Sequence, residues 1–200
     1  MTGGVGAAAM LVVGAASKLD YAFGSEMLLR PPGGQNEGHF IATCIKCDRC
    51  RSACPMNCIA VANMNDGVLN ARTPKLDFKK GYCNFCNLCI VACPTGALRE
   101  FDPDVEWIAP AVIDASLCIA YAAEGGGCNK CVEKCPYEAV TSDAYGRPVV
   151  ESEKCNGCGY CEYACPSNSY RVFSGVRKRA ITVEATEKVR TLVAAAEGVS

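Results

Sequence analysis

Apolar positions along this 200-residue chain come in short runs broken by polar and glycine-containing stretches. Five of them, at residues 59–62, 98–101, 111–113, 149–150 and 171–173, are brief enough to predict only small strands and hairpins. Residues 180–185 read as one more strand, and 187–197 as a short amphipathic helix. The first 24 residues stand apart. Residues 3–16 carry no charge and would span about 21 Å as a helix, short of the roughly 30 Å hydrocarbon core of a bilayer. This weakly apolar run suits the apolar region and cleavage zone of an export signal, although neither a basic segment nor a twin arginine precedes it. The expectation for 1–24 is a remnant export signal, with a mobile tail as the alternative. Residues 25–39 read as a Pro/Gly-rich linker, 40–174 as the core and 175–200 as a strand and helix tail.

A second pattern overlies the first. Sixteen of the seventeen cysteines fall into four copies of one motif, each ending in Cys-Pro. The copies are Cys44, Cys47, Cys50, Cys54; Cys83, Cys86, Cys89, Cys93; Cys118, Cys128, Cys131, Cys135; and Cys155, Cys158, Cys161, Cys165. The third is stretched by a nine-residue gap after Cys118. This is the bacterial C-x₂-C-x₂-C-x₃-C-P run of iron–sulfur proteins, in which three thiolates converge on one cubane and the fourth serves a partner cluster. Four such motifs predict two pairs, hence four [4Fe–4S] clusters held by these sixteen cysteines as iron ligands. Each run reads as a cluster loop followed by a helix that starts at the fourth cysteine, with proline in its first turn.

The repeat extends past the cysteines. Four residues after the fourth one stand Cys58, Ala97, Ala139 and Ser169; five residues after stand Ile59, Leu98, Val140 and Tyr170. Small and then apolar side chains in register suit packing against a bulky inorganic core, and they make Cys58 the occupant of a small-residue slot. A substitute ligand or redox-active thiol is the other reading of Cys58. The residue before the fourth cysteine is Ala53, Ala92 and Ala164, but Lys134 in the third motif, which either tunes a cluster or extends into solvent. Gly157 and Gly159 flank Cys158 and leave backbone N–H groups free to approach sulfur.

Rival chemistries fit less well. Structural zinc takes paired Cys-x₂₋₄-Cys or Cys with His in closed tetrahedra, whereas the single histidine, His39, lies outside every motif. An odd number of cysteines in a chain of this size argues against a disulfide framework. The net charge of −1 gives no basic excess for nucleic acid, and the run 177–179 reads as a solvated turn or a partner contact. No Rossmann fingerprint or P-loop is present, and no nucleophile is placed beside His39, so the chain shows no small-molecule substrate site and no catalytic residues of its own. Asp114 and Glu151, each four residues before a motif, suit turns or strand edges. Gly 19 and Pro 10, with 8% aromatic residues, suit a loop-rich α+β fold of tandem bacterial two-cluster ferredoxin-like modules, with short hairpins and helices.

The segment 28–50, LLRPPGGQNEGHFIATCIKCDRC, leads from Arg-Pro-Pro-Gly into the first motif. Together with the stretched third motif it resembles the NapG/MauM type of ferredoxin-like protein over about residues 28–173. The resemblance implies a four-cluster electron-transfer subunit on the outer, periplasmic face of the cytoplasmic membrane. Its implied partners are a polytopic quinol dehydrogenase and a periplasmic reductase such as nitrate reductase. Cytoplasmic residence, or direct attachment to a molybdopterin oxidoreductase acting on another substrate, is the alternative. In related four-cluster subunits the motifs pair first with fourth and second with third. That nesting places Cys165 with Cys44, Cys47 and Cys50; Cys54 with Cys155, Cys158 and Cys161; Cys135 with Cys83, Cys86 and Cys89; and Cys93 with Cys118, Cys128 and Cys131. Sequential pairing is the alternative.

Overall fold

The short apolar runs fold into three separate two-stranded antiparallel sheets, in a computed structural model that describes residues 28–122, 127–167 and 178–185. The elements are α1 (Glu37–Thr43), α2 (Arg49–Ala53), β1 (Ile59–Val61), β2 (Pro74–Leu76), α3 (Leu88–Val91), β3 (Ala111–Ile113), α4 (Ile119–Ala122), α5 (Lys130–Glu133), β4 (Val140–Ser142), β5 (Pro148–Val150), α6 (Tyr160–Ala164) and β6 (Ile181–Val183). Strand β1 pairs with β2, Ile59 opposite Leu76; β4 pairs with β5, Val140 opposite Val150; and β3 pairs with β6, Ala111 opposite Val183. Pro74 and Pro148 are tolerated because each sheet consists only of edges. Among the described residues no helix is long and apolar enough to cross a membrane.

The two halves are built alike. In each, a hairpin follows the odd-numbered motif: β1–β2 after the first, β4–β5 after the third. In each, the chain ahead of the odd motif meets the chain that follows or flanks the even one. In the second half that meeting is the β3–β6 ladder. In the first it is thinner: the Arg99 N–H donates to the Gly33 carbonyl at 3.0 Å and the Leu76 N–H to that of Leu29 at 2.7 Å. The strand expected at 98–101 therefore does not form. Leu98 and Phe101 are buried as expected, but the chain turns at once, with Val105 and Glu106 N–H groups donating to the Asp102 carbonyl. Strands β2 and β4 carry too little apolar sequence of their own to announce themselves. Residues 1–24, 171–173 and 187–197 lie outside the described residues.

The segment read as a linker is packed. Pro31 and Pro32 are fully buried, and Arg30 is only 3% exposed. The Arg30 guanidinium donates to Thr73 Oγ1 (2.8 Å), the Pro74 carbonyl (2.9 Å), Asn70 Oδ1 (2.8 Å) and the Glu37 carboxylate, and stands 4.6 Å from the centroid of the Phe40 ring. One planar five-donor group thus satisfies the lead-in, α1 and the β1–β2 connection together. Helix α1 starts where the Asn36 side chain accepts the His39 N–H at 2.9 Å, an N-cap.

In the main core cluster Phe40, Phe78, Leu98, Phe101, Ile108 and Ile181 share space with Cys50, Cys89, Cys131 and Cys161, and a smaller cluster of Leu117, Cys118, Ala120 and Ala180 sits at the third motif. The halves meet along a dense seam. Tyr82 stacks on Tyr160 with centroids 4.0 Å apart and planes 6° apart, the Ile108 N–H donates to the Asn156 carbonyl at 2.9 Å, and the Cys83 N–H donates to the Cys158 carbonyl at 2.8 Å.

Candidate metal centres

Each motif solves one local problem: three sulfurs one turn apart must face inward together. In the stretched third motif Asn129 keeps φ −124°, but in the other three the backbone does this with left-handed residues at the second and fourth positions after the first cysteine. These are Lys46 (φ 57°) and Asp48 (63°), Phe85 (52°) and Asn87 (56°), Gly157 (80°) and Gly159 (74°). Alternation into the left-handed region turns successive N–H groups toward one concavity, an anion-binding nest. Only the fourth motif uses glycine for both. Glycine is required there by the seam as well, because a Cβ on Gly157 would lie 2.2 Å from the Ala109 carbonyl oxygen and one on Gly159 would lie 2.2 Å from the Phe78 ring. The expected freedom of their N–H groups is thus accompanied by a close-packing role.

The short helices begin after these loops and carry the third cysteine, buried in every case (Cys50, Cys89, Cys131, Cys161). The fourth cysteine closes the helix instead of opening one. Its N–H donates to the carbonyl three residues back in all four motifs, for example Cys54 to Arg51 at 3.3 Å and Cys165 to Glu162 at 3.2 Å. The proline after it therefore stops a helix, its other common role. In the first three motifs the turn beyond has a further left-handed residue three positions on: Asn57 (φ 53°), Gly96 (70°) and Glu138 (50°). That turn aims N–H groups at the fourth sulfur, as Ala139 N–H does at Cys135 Sγ (3.2 Å).

Helix α2 lies against α3 and α5 against α6. As a result, the fourth cysteine of each motif joins the loop of its sequence neighbour. Cys54 lines one cavity with Cys83, Cys86 and Cys89. Cys135 lines another with Cys155, Cys158 and Cys161, and Cys165 a third with Cys118, Cys128 and Cys131. These spaces measure ≈ 320, ≈ 300 and ≈ 350 Å³. Cys93 stands with Cys44, Cys47 and Cys50, where its charge reaches the Cys50 thiol. The nested pairing is thus overturned: first pairs with second, and third with fourth. The hairpin after each odd motif folds the chain straight back, leaving no reason to reach across the molecule. All sixteen predicted cysteines are brought together in four sets of four. The Cys118 gap holds α4, entered from a turn in which the Leu117 and Cys118 N–H groups donate to the Asp114 carbonyl.

The thiols divide by environment. Burial pushes Cys50 up to about 11, with Cys44, Cys47 and Cys93 adding to it against the Arg51 N–H. Burial pushes Cys89, Cys131 and Cys158 up to about 12, and Cys161 well above the usual thiol range, again helped by neighbouring sulfurs. Two of the fourth cysteines, Cys54 and Cys93, go the other way. A hydrogen bond from the Cys58 side chain brings Cys54 down to about 5, aided by N–H groups of Cys58, Met56 and Ile59. Burial opposes the fall at Cys93, but N–H groups of Leu98, Thr95 and Ala97 hold it below the usual thiol range. Sites of this kind hold thiolates only when a cation compensates the buried sulfurs, which is what metal ligation supplies. Among the described residues no three His, Cys, Asp or Glu side chains close on one point. The sulfurs ring a space instead, which fits a cluster presenting an iron behind each sulfur.

The remaining candidates resolve simply. The His39 Nε2–H donates to the Gly96 carbonyl at 3.1 Å, tying α1 to the turn after Cys93. Asp114 Oδ1 caps its own turn through Ser116 (2.6 Å), and Glu151 pairs with Lys154 (2.7 Å). Lys134 is exposed, and its Nζ lies 5.9 Å from the Tyr160 centroid. Arg179, read as part of a solvated turn, instead donates to the carbonyls of Glu162 and of Tyr163 (2.6 Å), stapling the end of α6. The left-handed residues of the first two motifs were not singled out in sequence, because Lys46 and Phe85 give no conformational signal; Asp48, Asn87 and Gly159, types that tolerate the left-handed region, at one shared position were the available clue.

Short helices, two-stranded sheets and paired cysteine loops define a ferredoxin-type protein. The chain matches the 4Fe-4S dicluster domain family over residues 43–97 and 126–169, one match per half, the same division that the paired helices make. It is 34% identical over 158 residues to the ferredoxin-type protein NapG of Escherichia coli, covering 70% of this chain and 67% of that one. It is 32% identical over 176 residues to the methylamine utilization ferredoxin-type protein MauM of Methylophilus methylotrophus, covering 81% and 76%. It is 31% identical over 142 residues to the ferredoxin-type protein NapF of E. coli, covering 69% and 80%. The chain belongs to the NapG/MauM family of ferredoxin-type electron-transfer proteins, which bind [4Fe–4S] clusters.

Proposed function

We propose that this chain holds four [4Fe–4S] clusters, one per cysteine set, and relays single electrons from a membrane quinol dehydrogenase to a reductase on the outer face of the cytoplasmic membrane. The observation that carries this reading is the adjacency of the sets. Cys50 neighbours Cys89, Cys83 neighbours Cys158, and Cys161 neighbours Cys131. The four sets therefore form a single line, with the first and third motif loops at its ends. Bound clusters supply reversible one-electron chemistry, over a range of roughly −700 to +450 mV set by charge, hydrogen bonds and exposure. The chain supplies sixteen sulfurs, the N–H groups that stabilise their negative charge, and a close seam between the halves. The placement beside a membrane partner is what the resemblance to the NapG/MauM type implies.

Anaerobically purified protein tests the reading. About sixteen irons and as many acid-labile sulfides per chain are expected, with reduction by a quinol only when the membrane partner is present. Half that iron content, or clusters that cannot be reduced, would overturn the four-cluster relay.

A further inference from the structure

The seventeenth cysteine stands at the second set. Cys58 is 1% exposed and lines the same space as Cys54, Cys83, Cys86 and Cys89. Its Sγ lies 3.6 Å from Cys54 Sγ. The reason is the register of the repeat. The slot four residues after the fourth cysteine faces that cysteine's sulfur: in the third motif the slot residue, Ala139, donates its backbone N–H to Cys135 Sγ. Buried Ala97 and Ala139 bring only a methyl to this slot. At position 58 the side chain adds a second donor to the one the backbone already provides.

We propose that Cys58 is a positioning residue that donates its S–H to the cluster-bound sulfur of Cys54, raising the reduction potential of the second set above what its ligands alone would give. The inference rests on Cys54 being a cluster ligand, as proposed above. A sulfur bound to iron has no proton to give, so in that pair Cys58 is the donor. A hydrogen bond to a ligand sulfur withdraws negative charge. It therefore favours the reduced form, which carries one more electron. The placement matters because Cys83, in the same set, has its N–H on the Cys158 carbonyl: the tuned site is one of the two that meet at the seam between halves.

The test uses the full holo chain, prepared without oxygen, as Cys58→Ala and Cys58→Ser. Alanine already fills this slot in two other motifs, so the fold tolerates it. Iron and sulfide content, and an electron paramagnetic resonance redox titration, are measured on each. Cys86→Ser marks the signal belonging to the second set. The expected result is unchanged iron in Cys58→Ala, with one midpoint shifted negative, on the signal that Cys86→Ser alters, and a midpoint near the parent's in Cys58→Ser, where a hydroxyl donor is kept. Midpoints all equal to the parent's at full iron content would overturn the role of Cys58 and leave the cluster reading standing. Loss of iron from Cys58→Ala would show a ligand in place of a donor and overturn it too. An iron-free parent protein would remove both readings together.

Discussion

The backbone N–H of Cys83 donates to the carbonyl oxygen of Cys158 across the boundary between the two halves, at 2.8 Å. These residues belong to the second and fourth motifs, so this bond makes those two sets the inner pair. The expected consequence is unequal damage from single ligand changes. Cys86→Ser, at an inner set, should block exchange between the halves, while Cys47→Ser, at an end, should leave exchange among the other three sets intact. Rapid-freeze resonance after a reducing pulse would show which clusters fill; equal effects of the two variants would contradict the line.

Sequential pairing makes a sharp statement about Cys93. Serine there should perturb the cluster of Cys44, Cys47 and Cys50. The spectrum of Cys93→Ser should therefore resemble that of Cys47→Ser and differ from that of Cys86→Ser, with roughly four of sixteen irons weakened.

Arg30 carries the lead-in. Replacing it with alanine removes a charged donor from Asn70 Oδ1, Thr73 Oγ1 and the Pro74 carbonyl in a buried place and uncovers Phe40. The cost should be about 2–4 kcal/mol, since several buried acceptors lose one charged donor together and Glu37, partly in solvent, contributes little. Lysine should recover little, because one ammonium cannot reach four acceptors. Thermal melts and protease cutting near residues 28–36 would measure this.

Glu162 sits buried beside Cys161, accepting the Val183 N–H at 2.9 Å. Burial pushes its carboxyl up, against that N–H and the charges of Arg179 and Lys79. A raised carboxyl in the folded state favours folding below the unfolded value of about 4.3, and that contribution is lost as pH climbs through the folded value. Glu162→Gln keeps an acceptor without the charge. It should match the parent near pH 4 to 5 and become relatively more stable toward neutrality, measured by melting the two proteins side by side across that range.

Iron removal should unfold the chain. Its longest described helix has seven residues and each described strand three, and four of its core positions are the third cysteines. Chelation under reducing conditions should abolish near-ultraviolet circular dichroism and any cooperative melt; an iron-free form that melts cooperatively would show a self-sufficient core.

Much of the site was legible because cysteine spacing is a strong signal. The sixteen thiols and their grouping in threes needed no structure. The partner of each fourth cysteine did, because spacing along the chain says nothing about which helices lie side by side; α2 against α3 was settled by a fold-back that β2 completes, and Pro74–Leu76 is hardly a strand by composition. Leu98 looked like Ile59 and Val140 in register, yet lacked a following hairpin to pair with. Arg30 looked like the start of a tether because its five donors find acceptors up to forty-four residues away, a distance at which sequence pattern carries no information.

The order in which the thiol sets close has a consequence for biogenesis. The first two are complete once Cys93 has left the ribosome, and the Gly33–Arg99 contact can seal them soon after. The other two wait for Cys165, and their sheet waits for Ile181–Val183 to arrive opposite Ala111–Ile113. Metal can thus be loaded into the leading half while the trailing half is still being translated, so the nascent chain need never expose all sixteen reactive sulfurs to the cell at once.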